Sequence, residues 1–297
     1  MLRRFRIIVL AAILPFAAPI SAYPEQREME AVPDRSPVAR TLLLGFGWSN
    51  QLDTYLSPMG YTGIQASILL QSERMTRLAH RHISFQSTFH GVFTSTGNSA
   101  ETAKYWGGRL AYDAGWHYHY SPLPRLDLKG GVMIGTDLGF LYNNRNNNNP
   151  AQGRFSADLS LSAGADYSFF VPLRRNRQLP MQVHYQADMP AVGLMFCPEF
   201  GESYYEISQN GVGHNIICAY PGNAFSLRQL LTLDFCLRRI TLRIGYLCDI
   251  RQSNSRSLKY RDTSHSIMLG FVRHFQLMKR SSSARRGQMQ EYKNLKI

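Results

Sequence analysis

The stretch RFSADLSLSAGADYSFFVPL, Arg154 to Leu173, decides the fold by parity. Every odd position from Phe155 to Val171 is apolar, and every even one from Ser156 to Ser168 is Ser, Asp or Gly. An unbroken period of two is the mark of a β-strand with one apolar and one wet face. Soluble strands usually run about 3–10 residues, and this alternation outlasts them. From Phe155 to Tyr167 it covers about 40 Å at roughly 3.3 Å per residue. Tilted by about 40°, that is about 30 Å of height, one bilayer band. Phe155 at one end and Tyr167 and Phe169 at the other bracket a small aliphatic middle, as side chains do where interfaces flank hydrocarbon.

The same reading extends outward to ten segments, at about 41–50, 61–71, 82–94, 104–120, 126–142, 154–171, 181–190, 225–237, 240–251 and 262–277. No helical period stands out. Apolar positions in 104–120 are even (Trp106, Leu110, Tyr112, Trp116, Tyr118, Tyr120), and they stay even in 126–142, so a turn at Ser121–Arg125 placing Tyr120 opposite Leu126 keeps one face. Parity flips between Leu237 and Ile240, as a two-residue turn at Arg238 and Arg239 demands. Connections after odd strands look long and those after even strands shorter, the asymmetry of an even-stranded bacterial barrel with both termini in the periplasm. The fold class expected is therefore all-β: an antiparallel up-and-down transmembrane β-barrel of about ten strands, with twelve as the alternative count.

The opposite face carries Arg109, Asp113, His117, His119, Asp127, Lys129, Asp158, Asp166, His184, Asp188, Asp234, Arg243 and Asp249. Buried charges must be paired or wet, and a polar-filled lumen meets that demand. A soluble lipocalin-like barrel, with its apolar faces turned inward around a ligand, is the competing reading.

The ends set compartment and charge. Arg3, Arg4 and Arg6 precede an apolar run from Ile7 to Ile20, and small residues close it at Ala22, the layout of a secretory signal over 1–22. A segment over 23–40 is expected in the periplasm, the barrel over 41–277, and a basic tail over 278–297. No cysteine precedes Cys197, which argues against a lipid anchor, and no later run approaches 18 apolar residues. Net charge is +13, with Lys279, Arg280, Arg285, Arg286, Lys293 and Lys296 clustered in the tail. A solvated tail near anionic lipid headgroups is the expected reading, not nucleic-acid binding. The outer membrane is the expected location, outer-membrane lipid and the barrel assembly machinery the expected partners.

Chemistry is sparse. His117, His119 and His184 with Asp113 and Asp188 share the lumen face, but parity places no third ligand beside a histidine pair, so a polar plug without metal or cofactor is expected. A phospholipase-type site needs a nucleophile within reach of a base; Ser264 or Ser266 with His265 are the test positions. Cys197 and Cys218 share one long loop and are a possible disulfide. That loop, Ala191 to Ala224, reads as the longest structureless span, with Tyr204, Tyr205 and Glu206 as contacts for a sugar or protein, or else as a plug over the mouth.

At NQLDTYLSP (Asn50–Pro58), SLRQLLTLDF (Ser226–Phe235), GYLCDIRQS (Gly245–Ser253) and SHSIMLGFVRHF (Ser264–Phe275), the chain resembles a family of exported proteins of gut Bacteroidetes known as a domain of unknown function. The resemblance spans most of the mature chain. It implies export in a Gram-negative cell and supplies no catalytic residues. The last strand also resembles the aromatic-ended signal for barrel assembly, from which the trailing tail departs. Together these point to a non-enzymatic membrane barrel acting as a small pore, an adhesin or a structural envelope protein.

Overall fold

A computed structural model describes residues 36–145, 150–173, 177–237 and 240–277. The expected signal and basic tail lie outside them. The described chain forms β1 (Ser36–Asp53), β2 (Ser57–Met75), β3 (Ile83–Asn98), β4 (Lys104–Leu123), β5 (Leu126–Asn143), β6 (Ala151–Leu173), β7 (Arg177–Phe196), α1 (Tyr204–Asn210), β8 (Ile216–Ala219), β9 (Ala224–Cys236), β10 (Thr241–Ser255) and β11 (Leu258–Leu277). Every strand pairs antiparallel with its neighbours, and β1 pairs with β11 while β6 pairs with β7. The sheet therefore closes into a ten-stranded barrel. β8 is the extra strand, added to the upper end of β7.

The register is staggered. The paired row from Trp48 through His265, Cys248, Gln229, Ala187, Ala163, Gly130 and Tyr118 reaches Ile83. It starts near the upper end of β1 and finishes at the lower end of β3, so the strands tilt about the barrel axis. The termini of the barrel and the links after β2, β4, β6 and β9 lie at the lower end; the segment from Cys197 to Asn223 lies at the upper one.

Parity sorts the side chains as expected. Leu44, Phe46, Trp48, Leu110, Trp116, Ile134, Leu159, Leu161, Ile244 and Ile267 are exposed on the outside, while Arg109, His117, Lys129, His184, Asp188, Asp234, Arg243 and Asp249 are buried inside. The soluble alternative, with an apolar interior and wet exterior, is turned the wrong way round. The lumen is nevertheless not uniformly polar: Leu43, Leu69, Leu230, Leu247 and Met268 form an inward apolar cluster. These residues sit where both parities are apolar, as in Leu42-Leu43-Leu44 and Leu69-Leu70, so alternation carries no signal there.

Several boundaries move. β1 begins at Ser36, inside the segment expected to precede the barrel. β4 runs on to Leu123, and a bulge lets Tyr120 pair with Leu128 and Leu123 with Leu126, so the Tyr120–Leu126 pair is replaced while the face is kept. The turn after β9 keeps its register, with the Leu237 N–H donating to the Ile240 carbonyl at 3.0 Å. The expected long outer links shrink: Thr54–Leu56 joins β1 to β2 and Arg256–Ser257 joins β10 to β11. Strands such as β6, at 23 residues, continue beyond the alternating run, and at Phe169-Phe170-Val171 both faces are apolar, so no period remains to read there. The loop expected to be structureless over Ala191 to Ala224 holds the end of β7, α1, a turn of 3-10 helix at Val212–Asn215, and β8.

Candidate functional site: a bridged lumen under a capped mouth

The lumen is spanned by ion pairs between strands on opposite walls. Arg109 on β4 donates to Asp249 on β10 at 2.6 Å, and Arg251 on β10 donates to Asp137 on β5 at 2.6 Å. Arg228 on β9 crosses to Asp113 on β4 at 2.8 Å and also holds Asp188 on the neighbouring β7 at 2.9 Å. Asp188 also accepts from Ser162 and Gln186. Asp158 accepts from Ser160. Gln186 in turn accepts from Gln71 on β2 and Gln86 on β3. Charge-assisted bonds of this kind are short and directional, and their crossing geometry makes them struts.

A second network occupies the lower end. Lys129 reaches Glu73 at 3.2 Å, and His119 stands between Asp127 at 2.5 Å and Ser84 at 2.8 Å. His184 is bonded to Asp166. Arg243 donates through two nitrogens to Asp234 and through the third to Thr41. At the upper end Arg154 on β6 donates to Asp53 on β1 at 2.6 Å and lies over the Tyr260 ring, 3.3 Å from its centroid. Tyr61 stacks on Tyr105 beside them.

The mouth above is covered by the segment from Cys197 to Asn223. Tyr204 in α1 is tied to β6, its hydroxyl accepting from the Gly153 N–H at 2.5 Å and donating to Gln152 at 3.3 Å. Tyr55, between β1 and β2, donates to the Glu202 carbonyl at 2.8 Å; burial, with Tyr204 and Glu202 nearby, pushes its hydroxyl up to about 12. Arg256 fastens the far side through the carbonyls of Cys197 and His214 and the Asn215 side chain. Ser203 and Glu206 form a reciprocal capping box at the start of α1. Of the three loop candidates, Tyr204 is therefore a tether, Glu206 serves its own helix, and Tyr205, 73% exposed, has its ring largely in the open.

The remaining sequence candidates separate. Ser264 and Ser266 are buried on the lumen side, whereas His265 faces out and bonds the Tyr246 hydroxyl at 2.7 Å. Successive strand residues point to opposite faces, so neither serine meets His265 and the hydrolase dyad does not form. His117 is fully buried with no partner on either ring nitrogen among the described residues, and His117, His119 and His184 do not converge: no group of three ligating side chains fit for a metal is found among the described residues. Cys197 and Cys218 are free. Cys197 lies level with Asn215, while Cys218 pairs with Leu194, so the two thiols stand about 10 Å apart along the ladder on opposite faces, beyond disulfide reach.

Parity also holds residues that the sequence reading passed over. Arg154, Arg228 and Asp262 sit at inward positions of strands already recognised, and the same rule finds them. Glu73, Asp53 and Tyr260 lie at strand ends beyond the apolar runs and carry no such signal.

The structures to which the chain is similar include outer-membrane proteins. The transport unit of the autotransporter AIDA-I from Escherichia coli matches with a TM-score of 0.47 and 8% identity, over 85% of this chain and 93% of that one. The outer-membrane protease OmpT from Escherichia coli gives 0.41 and 7%, over 84% and 99%. Ail, the attachment invasion locus protein of Yersinia pestis, gives 0.31 and 8%, over 79% and 98%. No curated protein matches the sequence. A family model described as "Protein of unknown function (DUF3316)" matches residues 6–282, and with almost the whole chain inside that match, the protein belongs to the DUF3316 family.

Proposed function

We propose that the protein is an outer-membrane barrel of a Gram-negative envelope whose lumen is closed and whose working surface is its capped outer face, an adhesin or structural envelope protein and not an open pore or an enzyme. The observation that carries this reading is the set of ion pairs strung across the lumen, Arg109–Asp249, Arg251–Asp137 and Arg228–Asp113. An aqueous channel needs an unobstructed bore, and struts between facing walls remove it. The outward apolar band supports membrane insertion, because exposed Leu, Ile and Trp in such numbers need lipid around them. Phe200, Tyr205 and Val212, each more than half exposed on the cap, supply the apolar contacts that a binding surface uses. In this reading residues 1–22 direct export and the barrel assembly machinery inserts the chain.

Planar-bilayer recording tests the closed lumen. The folded wild-type barrel should give no discrete conductance steps, and Asp249→Ala combined with Asp137→Ala should give small ones. Regular steps from the wild type would return the protein to the pore class.

A further inference from the structure

The barrel wall is not continuous. The ladder between β7 and β9 stops at Asp188–Arg228, and β7 is next paired at Gly193–Ala219, with β8. Between these points the chain from Tyr220 to Asn223 turns on itself: Asn223 and Ala224 N–H groups both donate to the Tyr220 carbonyl, and the Asn223 side chain accepts from the Tyr220 N–H. The facing stretch of β7 is irregular too. Leu159 pairs with Val192 and Ser160 with Pro190, leaving Ala191 bulged, and Pro190 has no N–H to offer the missing ladder.

Behind this seam lies a cavity of about 140 Å³, bounded by seam residues Pro190 and Val192, by Leu194 just above them, and by lumen charges of both signs, four arginines that include Arg109 and six aspartates that include Asp137 and Asp158. Val192 and Leu194 are about half exposed on the outside. Arg109 is nine-tenths buried, yet among the described residues its Nε and Nη1 donors meet no acceptor. Buried donors without acceptors are costly, and Arg109 is among the residues that line the open space.

We propose that the β7–β9 seam is a lateral portal by which a neutral single-chain amphiphile with a small hydroxylated head, of monoacylglycerol type, seats its head in this cavity. The head chemistry follows from the lining. A carboxylate would suit Arg109 and be repelled by Asp137 and Asp158; an ammonium would suit those aspartates and be repelled by Arg109. A hydroxylated head accepts from Arg109 and donates to the aspartates. The cavity has room for a head of glycerol size, and the acyl chain leaves past Val192, between β7 and the Tyr220–Asn223 turn, onto the apolar exterior. The portal rests on membrane insertion but not on a closed lumen.

The test uses the full-length mature barrel in phosphatidylcholine vesicles and a 1-monolauroylglycerol carrying a diazirine at its chain end. Crosslinks should saturate and map to β7 and the Tyr220–Asn223 turn. Excess unlabelled monolauroylglycerol should compete, whereas laurate and dodecylamine should not. Val192→Trp should cut saturable labelling at least tenfold while the heat-modifiable gel shift stays that of a folded barrel. Should that variant not fold, Leu194→Trp carries the same expectation. Labelling spread evenly over the outward strands, equal competition by laurate or dodecylamine, or wild-type labelling in both variants would overturn the portal. A chain that never inserts into the vesicles would overturn the membrane reading instead.

Discussion

Arg243 is held by both oxygens of Asp234, at 2.6 and 2.7 Å, deep in the lower lumen. Cutting one partner from such a pair leaves a buried charge without compensation, at a cost of about 3–5 kcal/mol. Asp234→Ala should therefore lower the urea midpoint of the barrel markedly. The double change Asp234→Leu with Arg243→Met should restore most of the loss, since replacing both charges by apolar groups removes the penalty as well as the bond. A double variant as weak as the single one would mean that Thr41 and the surrounding packing, not the pair, set the stability. What the sequence conceals at this scale is partnership: parity puts Asp234 and Arg243 on one face, but only register makes them opposite neighbours. His90, buried with neither ring nitrogen hydrogen-bonded among the described residues and Nδ1 3.9 Å from Asp249, lies within an alternating strand and has no sequence feature to set it apart.

At the scale of elements, the long alternating strands were legible, and the four-residue β8 (Ile216–Ala219) was too short to show a period. The helix α1 spans Tyr204–Asn210, too short for a 3.6-residue period to show, although Ser203 and Glu206 have the spacing of a capping box. The Glu206 carboxylate accepts from the Ser203 N–H and hydroxyl, and these bonds hold it below the usual range for glutamate. A carboxyl whose folded value is depressed stabilises at pH above its unfolded value, near about 4.3, and loses that contribution as pH falls through the lower folded value. Amides from 203 to 211 should therefore exchange hydrogen slowly at pH 6 and faster below about pH 4, after correction for intrinsic rates. Ser203→Ala should bring the fast behaviour to pH 6. Identical exchange in the variant and the wild type would show that the Tyr204 and Arg256 tethers alone hold the cap.

For the whole molecule, the one-sided alternation of Phe155 to Val171 foretold a closed antiparallel barrel because closure leaves only two environments, and every strand must face both. The strand count followed from the same pattern. The wall seam could not be read, because it depends on where β8 replaces β9 and not on composition. Refolding tests the outward apolar face: the chain from Tyr23 onward should gain sheet content and a heat-modifiable gel shift with detergent or lipid and aggregate without them. A soluble, folded, detergent-free form would invert the assignment of the two faces.

Nine of the ten seams in the barrel join strands adjacent along its circuit in chain order, and one, β1 with β11, joins Ser36 to Leu277. Neighbouring hairpins form cheaply, whereas this closure must gather the two ends of the domain, the arrangement that slows folding most. The backbones at that seam approach so closely that a Cβ on Gly47 would meet the His265 carbonyl, and one on Gly270 the Leu42 carbonyl, each at 1.8 Å. The kinetics of insertion thus converge on two hydrogen atoms. Gly47→Ala or Gly270→Ala should leave the early gain of sheet unchanged and delay the last step, in which an open, curved ribbon becomes a ring.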